Sequence, residues 1–139
     1  MKKPWKTALI LAVTSVVTFV LLVVGLRMSA PGRHQREFER KLPVCESILS
    51  KFRADPSGIP ASGVEIPVPE SAKGDVRFIF ASRPTEETLA VEFLTGGGFP
   101  VKHRGFSFLS AGQIEDYPRL ASRWPRHTRM RDNWFYIAD

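Results

Sequence analysis

From Thr7 to Leu26 the chain reads TALILAVTSVVTFVLLVVGL, twenty residues without a charge. At 1.5 Å per helical residue such a run spans ~30 Å, the thickness of a bilayer's hydrocarbon core, so it predicts a transmembrane helix. Residues 1–6 form a short basic tail ahead of it, and residues 27–33, with Pro31-Gly32, predict a juxtamembrane break.

Beyond the break the apolar spacing becomes helical. In HQREFERKLPVCESILSKFRAD (34–55), Phe38, Leu42, Cys45, Leu49 and Phe52 recur every three or four residues with Ile48 beside them, which marks one apolar helix face. Pro43 sits inside the pattern, where its ring and missing N–H either kink the helix or mark the start of its stronger half. Asp55-Pro56-Ser57-Gly58 ends it.

With prolines at 60, 67 and 69, the segment 59–74 predicts an extended linker with an edge strand at 64–68. The period then falls to two. VRFIFAS (76–82), TLAVEFL (88–94), GFSFLS (105–110) and NWFYIA (133–138) are short, aromatic and β-branched, as strands are. RPTEE (83–87) reads as a hairpin loop, and 111–132 as a long solvated connection. The alternation in NWFYIA puts Trp134 and Tyr136 on one face and Phe135 and Ile137 on the other, which predicts a terminal strand covered at least partly on both sides. The expected fold is α+β: a transmembrane helix, then a small domain over 34–139 in which an amphipathic helix packs on an antiparallel sheet.

Length and charge narrow the setting. A chain of 139 residues with one apolar run leaves room for a single modest domain. Of its net charge of +6, Lys2, Lys3, Lys6 and Arg27 flank the apolar run, and all 14 acidic residues lie beyond residue 33. The domain is therefore close to neutral, and the basic balance reads as a membrane flank more than a nucleic-acid signature. A cleaved signal peptide competes with an anchor, but its apolar core should be only ~7–15 residues long, followed by small residues at the cut. Met28 stands where a small residue is wanted. The lysine-rich tail favours an N-terminus inside and a domain outside the cytoplasm, against which stand Arg27, Arg33, Arg36, Arg40 and Lys41 on the far side.

Candidate chemistry is sparse. LTGGGFPVKHRGF (94–106) offers three glycines before Lys102, His103 and Arg104, yet a phosphate-cradling loop needs Lys-Ser/Thr directly behind its last glycine at a helix start. Flanked by strands, this stretch predicts a hairpin with a glycine tip. The segment 111–132 holds Arg119, Arg123, Arg126, Arg129 and Arg131 with His127, Tyr117 and Trp124 among them, a candidate anion-binding cluster, since guanidiniums grip phosphates and aromatics stack on bases. His34, His103 and His127 show no ligand spacing, one cysteine forms neither an internal disulfide nor a structural zinc site, and Glu86-Glu87 and Glu115-Asp116 read as solvated pairs at turns. The pattern assigns no catalytic residue, metal ligand or cofactor, and Cys45 receives only a packing role.

The order of parts, a basic tail, apolar helix, proline-interrupted amphipathic helix, proline-rich linker and small antiparallel sheet, resembles the layout of type IV pilins and pseudopilins. Lys6-Thr7 stand where a pilin leader ends in glycine, and the first acid is Glu37, so the resemblance implies an architecture and carries over no site residue. The expected function is that of a single-pass envelope protein of the cell membrane with a structural or protein-interaction role. Its expected partners are the lipid bilayer and other envelope proteins, with nucleic acid disfavoured. The alternative is a membrane-tethered binder of polyanions, such as anionic lipid, wall polymer or nucleic acid, through the 119–131 arginines.

Overall fold

A computed structural model describes residues 4–27, 30–98 and 101–139, and the chain divides into two units, 1–37 and 38–139. In the first, helix α1 runs over Pro4–Arg27. Its stretch Ala8–Leu26 has a mean hydropathy of 2.8 and is 0% buried, long and apolar enough to cross a membrane. The hydroxyls of Thr14 and Thr18 donate to the carbonyls of Ile10 and Thr14 at 2.7 and 2.9 Å. These two hydroxyls are thus satisfied within the helix, as an apolar medium demands.

Helix α2 spans Ala30–Ala54 and takes in Pro31 and Gly32, where the sequence pattern predicts a break. The correction has a simple cause: Pro31 lies in the first turn, where its missing N–H has no carbonyl within the helix to reach. Pro43 is inside the helix, which continues past it. On the second unit's side, Phe38, Cys45, Ile48 and Leu49 are buried, with Leu42 and Phe52 packed beside them, so the predicted stripe is the helix's contact face.

Six strands form one antiparallel sheet in the order β1-β2-β3-β4-β6-β5: β1 Val64–Ile66, β2 Phe78–Thr85, β3 Thr88–Gly98, β4 Val101–Leu109, β5 Arg126–Arg131 and β6 Trp134–Ala138. The first hairpin is tighter than RPTEE suggests. Arg83, Pro84 and Thr85 belong to β2, and Thr85 pairs with Thr88 across Glu86-Glu87. The glycine stretch is a hairpin, since β3 pairs with β4 from Ala90–Leu109 to Gly98–Val101, and its tip at 99–100 lies outside the described residues.

The segment 111–132 is not a loop. After β4 it makes a 3-10 turn at Ile114–Asp116 and helix α3 (Pro118–Arg123), crosses one sheet face, and returns as edge strand β5. A two-residue connection then leads into β6, with Asn133 in the left-handed region (φ 67°) and its amide donating to the Ser110 carbonyl at 3.0 Å. The strand escapes the pattern because Arg-His-Thr-Arg-Met-Arg offers few apolar positions at an exposed edge.

This excursion gives the sheet a core on each face. On one, α2 covers Ile79, Val91, Phe93, Phe106, Phe108 and Trp134. Trp134 is the hub, with ring centroids of Phe38, Phe93 and Phe108 at 5.7, 5.8 and 5.5 Å. On the other, Ile114, Leu120 and Trp124 close over Ala90, Leu94, Leu109, Phe135 and Ile137. The two-sided cover expected for the terminal strand is present.

Candidate anion-binding groove

The five arginines do not form one surface. Arg119 and Arg123 stand on α3, and both line a groove of about 510 Å³ between α3 and β2, whose opposite wall carries Phe80, Ser82, Arg83 and Pro84. Arg126, Arg129 and Arg131 lie on β5, where a register shift between Arg129 and Arg131 breaks the alternation. Arg129 consequently leans over the Phe135 ring at 5.9 Å on the α3 side, whereas Arg131 lines a depression with Leu42, Glu46, Arg53 and Phe108 on the α2 side.

The groove is built on a buried charge. Glu92 points from β3 into the α3-side layer at 1% exposure, accepting the Trp124 indole N–H at Oε1 across 2.8 Å. Its Oε2 accepts no hydrogen bond among the described residues and lies 3.5 Å from Arg123 Nη1. Burial raises the Glu92 pKa above its ordinary value, against the opposing pull of the Trp124 hydrogen bond and the Arg123 charge. Arg123 in turn packs over the rings of Phe80 at 4.5 Å and Trp124 at 5.5 Å, which holds its guanidinium against the aromatic wall of the groove. Phe80 itself sits over Gly63, whose φ of +90° and missing Cβ leave room for the ring: a Cβ there would lie 2.3 Å from it.

Tyr117 closes one end. The Thr85 hydroxyl donates to Thr88 at 2.8 Å, Thr88 lies 3.2 Å from the Tyr117 hydroxyl, and Tyr117 donates to the Ala111 carbonyl at 2.9 Å. The chain runs in one direction and holds the phenol ring in place. On the facing wall, the half-buried Arg83 donates from Nη2 to the Glu86 carbonyl, which holds one edge of its guanidinium at the hairpin.

The other predicted polar residues are placed individually. His127 is not isolated: Nε2 meets Glu115 Oε1 at 2.8 Å and Nδ1 the Trp124 carbonyl at 2.8 Å, so both nitrogens donate when the ring is charged. Asp116 belongs to a capping box with Gln113. His103 Nδ1 meets Asp139 Oδ2 at 2.7 Å, tying the end of the chain to β4, while Lys102 and Arg104 are exposed. Cys45 is 2% exposed and desolvation pushes its thiol pKa up to about 12, the state of a packed hydrophobe. Among the described residues, no three of His, Cys, Asp and Glu converge as metal ligands would.

Sequence reasoning missed Glu92 and Arg83. Glu92 had a legible signal, a lone acid in the alternation Ala90, Glu92, Leu94, where its neighbours on the face are apolar. Arg83 had none, because only strand pairing carries it opposite α3. No known family, characterised protein or solved structure matches the chain.

Proposed function

We propose that the protein is a single-pass membrane protein that holds a small α+β binding domain at the membrane, with its N-terminus in the cytoplasm and the domain outside it. The role is structural or interactive: the domain presents contacts to other envelope proteins or to molecules at the membrane, and nucleic acid is not among the expected partners. The observation that carries the reading is the Ala8–Leu26 stretch, 0% buried and charge-free, in a chain whose second unit closes both faces of its sheet with its own segments. The lysines at 2, 3 and 6 favour the stated orientation because a short charged tail is costly to translocate. The layout likeness to pilins and pseudopilins fits such a role as an architecture.

A reporter active only outside the cytoplasm, fused after Asp139, tests the placement. It should be active, and the chain should stay with the membrane after alkaline extraction. Activity from a cytoplasmic reporter alone reverses the orientation, and release by alkali removes the anchor.

A further inference from the structure

We infer that the groove between α3 and β2 is a binding site for a phosphate monoester carried on an apolar or aromatic body, gripped by Arg83, Arg119 and Arg123. The inference is independent of the membrane anchor, because every residue it uses lies in the unit 38–139.

Three features lead to this ligand. First, charge: three arginines from two segments far apart in sequence line one groove, and Glu92, the acid 3.5 Å from Arg123, is buried beneath them. An excess of at least two positive charges matches a group that carries about −1.5 to −2 at neutral pH, as a phosphate monoester does. Second, preorganisation: Arg123 packs over two rings with Nη1 3.5 Å from a buried carboxylate, so its planar fork is already oriented for a bidentate partner. Third, shape: Phe80, Tyr117 and Leu120 make much of the lining apolar, and about 510 Å³ lies within the usual ~300–1,000 Å³ range of pockets for small organic ligands. A bare ion would leave that apolar wall unused. The same chemistry occurs in a lipid phosphate and in a soluble phosphoester, and the test separates them.

The full chain, in discs of phosphatidylcholine, is titrated calorimetrically with 1-naphthyl phosphate, inorganic phosphate and 1-naphthol. The ester should bind, the ion more weakly, and the alcohol not measurably. Arg119→Gln, at an exposed position, and Arg83→Gln, at a half-buried one, should each weaken the ester about tenfold or more while the cooperative melting transition is retained; a charge-assisted hydrogen bond of ~1.5–3 kcal/mol sets that scale. Arg129→Gln and Arg131→Gln should bind as the parent does. If the ester does not bind, or if the β5 variants lose as much as the groove variants, the assignment is overturned. Discs containing phosphatidic acid then identify the source: competition with the ester marks a lipid phosphate, and its absence a soluble phosphoester.

Discussion

Trp124 donates its indole N–H to Oε1 of Glu92 across 2.8 Å, joining the end of α3 to the middle of the sheet. A second pair occupies the opposite face, where Trp134 of β6 donates to Glu46 of α2 at 3.1 Å. In both, an arginine meets the same carboxylate and stacks on a nearby ring: Arg123 over Phe80, and Arg53, 3.1 Å from Glu46, over Phe108 at 4.5 Å. Each covering segment is therefore tied to the sheet by a polar bond set beside its apolar contacts. The pairs differ in burial, and that difference makes the Glu92 pair the costlier one to disturb.

Removing the donor in Trp124→Phe leaves Glu92 in the core with no hydrogen bond among the described groups. The expected loss is ~1–3 kcal/mol, the usual penalty for a buried polar group left unpaired, added to any packing defect. Glu92→Gln retains an acceptor for Trp124 and removes the charge. Because burial raises the Glu92 pKa, the folded chain binds this proton more tightly than the unfolded chain, and stability falls as pH rises from about 4.5 toward the folded value. The advantage of the Gln variant should grow across that interval and then level off, as read from denaturant titrations at several pH values. A pH-independent difference contradicts the buried charge.

His127 supplies a slope of the same sign at higher pH. Burial lowers its pKa, but the bonds to Glu115 and the Trp124 carbonyl outweigh that and leave it raised above 6.5. Its contribution is fully present below the unfolded value and is lost as pH rises through the folded one. Glu115 is held below 4.5 chiefly by the same hydrogen bond, so its share is present above that value and fades as pH falls through the lowered one. His127→Gln should flatten the stability curve above pH 6.5, measured by thermal melting in buffers matched for ionic strength.

Leu49 is 0% exposed at the centre of the α2 contact face. Leu49→Ala should cost ~2–5 kcal/mol, a large part of a small domain's stability. Cys45→Ala should cost less. With its pKa near 12 and 2% exposure, the Cys45 thiol should resist alkylation in the native chain and react at the rate of unfolding. Rapid labelling under native conditions would show that the helix face is open.

Deleting residues 133–139 removes β6, which lies between β4 and β5 and feeds Trp134 to one core and Phe135 and Ile137 to the other. The truncated chain should lose its cooperative melting transition, while changes confined to the exposed Gly58 should leave it intact.

Much of the architecture is legible in sequence because it follows from local periodicity. A charge-free run of twenty residues, a 3-4 apolar spacing and short period-two stretches each have one favourable backbone form, so α1, the α2 contact face and four aromatic strands, the terminal one among them, can be read directly. The arginine cluster is different. Residues 119–131 look like one basic patch along the chain, but α3 carries two arginines to a groove and β5 sends Arg129 and Arg131 to opposite faces at a register shift. Strand pairing, which periodicity does not encode, decides that Arg83 stands opposite Arg119 and Arg123, that an edge strand exists where few residues are apolar, and that Glu92 is buried. A lone Glu within TLAVEFL can face water or a core, and only the covering segment, brought over it by a β4-to-β5 crossing, determines which. Local sequence thus settled the elements with a clear apolar period and which of their faces are apolar; tertiary structure decided the arginine-rich edge strand and which charges meet, because contacts between distant segments depend on topology and register.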